Sequence, residues 1–145
     1  MIDTRLVSAP FDPAAELSAL GDAGAVASFT GHVRADDGVA TLTLEHYPGM
    51  TERALADVAG LAMDRWPLAA VRIVHRVGTM RPGEAIVFVG AASAHRAAAL
   101  AAVAFVIDRL KTDAPFWKRE ALDDGSARWV EARASDEAAA RDWDQ

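Results

Sequence analysis

The chain has 145 residues, 52% hydrophobic and 25% charged, which suits one globular domain spanning 1–145 and excludes a disordered chain. A formal net charge of -6 excludes a general nucleic-acid binder, because neutralising phosphates needs a clustered basic surface. Cysteine is absent, which excludes disulfides, thiolate metal sites, a cysteine nucleophile and any persulfide carried by the chain itself.

In chain order, "TRLVSA" predicts a first strand. "FDPAAELSALG" then predicts a short helix with Asp12 as N-cap, Pro13 in the first turn and Gly21 past its end. "GAVASFTGHVR" and "VATLTLEHY" are β-rich runs on either side of "ADDG" and read as a pair of strands joined by a loop. After the turn "PGM", Leu55, Val58, Leu61, Ala62 and Trp66 recur at helical spacing, so a helix is expected over 51–66, stopped by Pro67. "AVRIVHRVG" and "EAIVFVGAAS" predict another strand pair around "TMRPG".

Ser93 is placed to cap a long helix that ends near Lys111 or Thr112, before Pro115, whose ring disfavours helical angles in the residue ahead of it. Its stretch 97–107 is wholly apolar, so burial on all sides is expected, yet it is too short to span a bilayer. "PFWKREAL" and "ARWVEAR" flank "DDGS", a hairpin signal, and an acidic, alanine-rich helix closes the chain. Adjacent strand pairs interrupted by helices predict an α+β fold with a mostly antiparallel sheet and a long buried helix. Acids near the N-terminus, with no long apolar run, predict a cytoplasmic protein without a secretory signal.

Chemistry-bearing residues are few. Lys111 and Lys118 are the only lysines among fifteen basic residues, seven positions apart in "LKTDAPFWKRE". An amine can give up its proton when desolvated, whereas a guanidinium effectively cannot. Two readings stay open: ordinary solvated cations, or one site that needs amines. Lys118 alternates with Phe116 and Glu120 on one strand face, with Trp117 and Arg119 on the other.

His95 and Arg96 fall in the first turn of the long helix, where free N–H groups favour an anion; a solvated helix start is the alternative. Sixteen residues of helix separate His95 from Lys111, roughly 24 Å at 1.5 Å rise per residue. One small ligand cannot touch both in one chain, so either the sites are separate or a second copy supplies one of them. A homodimer with composite sites is the expectation. Arg34 stands at the lip of a loop after Gly31, which permits a bulge. The four histidines lack metal-ligand spacing, and no metal or cofactor is expected. Tyr47 and Met50 read as core and turn residues, and Trp66, Trp117 and Trp129 as core or interface aromatics.

"FTGHVR", "LTLEHYPGM", "RWPL", "VRIVHRVG", "PGEAIVFVG", "SAHR", "LKT", "APFWKRE" and "WVEAR" occur in an order and spacing that resembles the large, catalytic subunit of molybdopterin synthase, over residues 23 to 133. The resemblance implies an α/β hammerhead-type fold and a sulfur transferase of molybdenum cofactor biosynthesis. Such enzymes convert cyclic pyranopterin monophosphate to molybdopterin, with sulfur from the thiocarboxylated C-terminal Gly-Gly of a small ubiquitin-like subunit. It implies a central homodimer with a small subunit at each end. By motif, Lys111 and Lys118 resemble the catalytic lysines. His32, Arg34, Arg119 and Glu120 resemble substrate-pocket residues, His95 and Arg96 a pair supplied by the other large subunit, and Phe29 and Arg133 residues that shape the pocket.

Two departures stand out: the loop after Arg34 is shorter than the family pattern and adds Asp36 and Asp37, and Ile107 replaces an expected methionine. Two competing functions remain. One is a noncatalytic module that recognises a ubiquitin-like Gly-Gly tail; the other is an enzyme on the same fold that takes a different phosphate ligand.

Overall fold

The computed structural model describes residues 1–130 and 134–144. In chain order its elements are β1 (Ile2–Val7), α1 (Pro13–Ser18), β2 (Ala25–His32), β3 (Val39–His46), α2 (Met50–Arg65), β4 (Leu68–Arg76), β5 (Gly78–Met80), β6 (Ala85–Ser93), α3 (Arg96–Asp113), β7 (Phe116–Leu122), β8 (Ala127–Val130) and α4 (Ala134–Asp142), with a 3-10 turn at Asp36–Gly38. The strands form two four-stranded sheets, ordered β1-β4-β6-β2 and β5-β3-β7-β8. All pairings are antiparallel except β1 with β4. The α+β class expected from the sequence holds, with its strands divided between two sheets.

The first sheet carries the main core. Leu55, Val58, Ala59 and Ala62 of α2 and Ala102, Val103, Phe105 and Val106 of α3 pack on Val71, Ile73 and Val89. Burying a side chain of this size contributes roughly 1.5–3 kcal/mol. The sheet's other face is covered by Leu20 and Phe11 over Val74, Phe88 and Ala92. Gly90 makes that approach possible, since a Cβ there would stand 2.3 Å from Leu20 Cδ1. The second sheet has its own small core of Val33, Leu42, Leu44 and Met80.

Polar ties fix the ends. Arg72 Nε donates to the buried Glu16 at 2.6 Å and its Nη1 to Asp3 at 2.6 Å, while Arg5 also pairs with Glu16, so α1 and β1 are locked to β4. Burial alone would raise the Glu16 carboxyl, but the hydrogen bonds from Arg5 and Arg72 prevail and hold it below its ordinary range. At the other end Trp143, just past α4, meets Trp66 and Phe105 edge-on at 5.7 and 5.5 Å and donates from Nε1 to Asp108 at 2.7 Å.

Several expectations are corrected. The β2 and β3 runs are adjacent in sequence but lie in different sheets: β2 pairs with β6, and β3 with β5 and β7. Thr79 and Met80, read within a turn, belong to the edge strand β5, held to β3 partly by a 2.9 Å contact between the hydroxyls of Thr43 and Thr79. Ser93 is not the α3 cap. It ends β6, donates to the Pro67 carbonyl at 2.9 Å, and leaves His95 as a cap residue without a side-chain bond. Nor is α3 buried all round, because Leu100 is 61% exposed. Tyr47 is exposed rather than core, Met50 is exposed at the start of α2, and Trp117 and Trp129 are exposed, which keeps only the interface half of their reading.

Candidate functional site

Two segments end at the same place. Lys111 sits in the last turn of α3, where the helix dipole favours a cation, and Pro115 then turns the chain into β7, which carries Lys118. The turn is fixed by Thr51, whose buried hydroxyl accepts from Tyr47 N–H at 3.0 Å and donates to the Pro115 carbonyl at 2.9 Å. The start of α2 is thereby pinned to the linker between the two lysines. Gly49 opens that helix with φ of 83°, and its N–H donates to Glu52 at 2.9 Å.

Behind the lysines stands His75. Its ring is buried, stacked on Phe116 with centroids 4.1 Å apart, and Nδ1 lies 2.9 Å from the Arg76 carbonyl. A carbonyl only accepts, so Nδ1 carries the proton and Nε2 is bare. Burial chiefly, with the Lys118 and Lys111 charges adding to it against the opposing Arg76 hydrogen bond, pushes the imidazole down to about 4. Both ammonium charges therefore bear on one buried, neutral ring.

The remaining candidates are distributed. Glu120 shares the Lys118 face of β7 and accepts from Arg128 Nε at 3.0 Å. Arg119 points to the opposite face, opposite Trp129 in the strand register, where Tyr47, Trp117 and Trp129 form an exposed aromatic row. Arg34 is exposed with Asp36 at 3.9 Å, so this added aspartate competes for the guanidinium. A register shift falls between Gly31 and His32, where the glycine permits one. Beyond it His32 lines a cavity of about 270 Å³ with Phe11, Arg76 and Glu84, on a different wall from Phe29. Arg133 lies outside the described residues.

Phe29 and Arg96 line a second depression of about 610 Å³, floored by Ala99, Val103 and Ile107, between the β2 edge of the first sheet and the open side of α3. His95 and Arg96 are exposed at one end of this groove, and α3 keeps them a helix length from Lys111. Within one chain, then, His95 and Arg96 stand at the start of α3 and Lys111 at its end. Among the described residues no group of three or more His, Asp or Glu side chains is arranged to hold a metal ion, and no helix is long and apolar enough to cross a membrane.

His75 and Thr51 are the residues that sequence reasoning missed. The signal for His75 was present: Val71, Ile73 and His75 alternate on one face of β4, so the imidazole continues a buried aliphatic row.

Comparison with known proteins decides the family. The MoaE protein family matches residues 6–113. The chain belongs to the MoaE protein family. Over 151 aligned residues it is 54% identical to the molybdopterin synthase catalytic subunit of Salmonella typhimurium, covering 99% of this chain and 100% of that one. A solved molybdopterin biosynthesis MoaE protein from Burkholderia ambifaria superposes with a TM-score of 0.85 at 48% identity, over 100% of this chain and 99% of that chain. A complex of subunits 1 and 2 of molybdopterin-converting factor from Helicobacter pylori shares the fold at 19% identity, with a TM-score of 0.75 over 90% and 91% of the two chains. This MoaE-family chain is thus a molybdopterin synthase catalytic subunit, an enzyme of sulfur transfer in molybdenum cofactor biosynthesis.

Proposed function

We propose that this subunit converts cyclic pyranopterin monophosphate to molybdopterin, taking sulfur from the thiocarboxylated Gly-Gly tail of a small ubiquitin-like subunit, with Lys111 and Lys118 at the reacting atoms. The observation that most supports the lysine assignment is that one short turn, held at Pro115 by Thr51, joins the end of α3 with Lys111 to β7 with Lys118, and both charges bear on the buried His75 ring. For each of the two sulfurs, the thiocarboxylate sulfur bonds to a side-chain carbon of the precursor as that carbon's bond to oxygen breaks, the oxygen leaving on the phosphate or as water. Water must then cleave the acyl–sulfur bond, which frees the tail as a carboxylate and leaves sulfur on the product. An ammonium at that point stabilises the developing negative charge, and an amine can accept or return the proton. A chain without cysteine suits this chemistry, because the sulfur arrives on the partner.

The substrate phosphate and pterin need cations beyond the two lysines. Arg34 and His32, Phe29, the pair Arg119 and Glu120, and Arg133 are the residues proposed for this on one protomer, with His95 and Arg96 from its mate. The apolar groove along α3 supports the homodimer. A twofold axis crossing the middle of α3 sets the two helices antiparallel, which carries one protomer's Arg96 end to the other's Lys111 end. A cytoplasmic setting follows from the same reading.

The test mixes purified protein with thiocarboxylated small subunit and cyclic pyranopterin monophosphate and assays dithiolene product. A module that only recognises the tail would bind the small subunit and form no product. An enzyme for another phosphate ligand would neither need the small subunit nor consume this precursor.

A further inference from the structure

Within the site just described, His75 takes no part in the proposed chemistry, yet its surroundings are specific. Its strand neighbours in the sheet register, Leu6 on β1 and Val87 on β6, are apolar. The adjacent Arg76 is engaged elsewhere, with Nη1 on Glu84 at 3.1 Å. From the second sheet come Phe116, stacked on the ring, and Lys118 two residues further along β7; α3 supplies Lys111. His46, which pairs with Phe116 in the register, has Glu52 at 3.8 Å. An isolated core histidine would need only its Nδ1–H satisfied. This one also stacks on Phe116 of the strand that carries Lys118.

We propose that His75 is a positioning residue for the two lysines: its ring face seats Phe116 and so fixes the start of β7, while its bare Nε2 supplies a neutral lone pair toward the ammonium groups. The Nδ1–H bond to the Arg76 carbonyl sets that tautomer. The inference rests on the reading that Lys111 and Lys118 act at the reacting atoms.

Two experiments test it, both on the full chain. In the first, His75→Phe keeps an aromatic face for Phe116 and removes the Nε2 acceptor, and His75→Gln restores a neutral acceptor. Misplacing reacting groups by about an ångström costs up to roughly 100-fold. We expect kcat of sulfur transfer to fall roughly 10- to 100-fold in His75→Phe, with KM for the small subunit unchanged and much of kcat recovered in His75→Gln. A folded His75→Phe protein with parental kcat overturns the proposal.

The second experiment holds even if that variant fails to fold. The His75 ring is titrated by NMR in the parent, in Lys111→Gln and in Lys118→Gln. A midpoint that rises in each lysine variant supports the juxtaposition, and a midpoint that moves in neither overturns it. Activity of the same two lysine variants answers separately whether the lysines act in catalysis, so failure of that reading is distinguishable from failure of this one.

Discussion

His75 and Phe116 stack face to face, planes 22° apart, and join β4 of one sheet to β7 of the other two residues before Lys118. The contact buries a titratable ring, and the burial has a measurable cost in acid.

Folded His75 titrates at about 4 against an ordinary 6.5, so the unfolded chain binds the proton more readily. The stabilisation of the neutral form is complete above pH 6.5 and is lost as pH falls through 6.5 toward 4. At pH 4.5 the loss amounts to about 2–3 kcal/mol. Urea unfolding at pH 7.5 and 4.5 should show a loss of this size in the parent beyond any loss that His75→Phe shows, since the variant lacks the titrating group.

Thr51→Val keeps the shape of a fully buried side chain and removes its hydroxyl, leaving the Tyr47 N–H and the Pro115 carbonyl unpaired. A lost buried hydrogen bond of this kind costs about 1–3 kcal/mol. Because Pro115 lies between Lys111 and Lys118, turnover should fall further than the stability change alone explains, and Thr51→Ser should retain most of both. Thermal unfolding and steady-state rates on the three proteins check this.

Lys111→Arg and Lys118→Arg keep the charge and remove easy deprotonation. Each single variant should still bind the small subunit but make molybdopterin about a hundredfold more slowly, the lower end of what proton transfer by a placed group contributes. Parental rates in both would show that the amines are not needed as amines.

Leu100 stands open on the outer face of α3. In a lone chain Leu100→Glu should change stability by less than about 0.5 kcal/mol, as surface changes do. If the groove is the homodimer interface, the variant should sediment as a monomer and lose activity together with its dimer. A variant that remains dimeric and active would move the interface elsewhere.

Most elements were legible in the sequence because their signals are local. Asp12 and Pro13 open α1, Pro115 follows the end of α3, and "DDGS" turns β7 into β8. What was not legible depended on distant partners. The alternation in β2 and β3 makes each a strand but does not say that the first pairs with β6 and the second with β7. "GTM" is too short to declare itself a strand until Thr79 finds Thr43. At the site, the scarcity of lysine drew attention to Lys111 and Lys118 at once. His75 and Thr51 were passed over because each earns its place only through residues tens of positions away, Phe116 and Pro115.

The most direct measurement is complementation in mixed dimers. Chains carrying Arg96→Ala are combined with chains carrying Lys118→Gln, each inactive alone, after dissociation and reassociation. If one protomer's helix start serves its mate's lysines, each mixed dimer has one intact site, and random mixing should restore about a quarter of parental turnover. If Arg96 and Lys118 serve the same chain, or no common site, mixing should restore none.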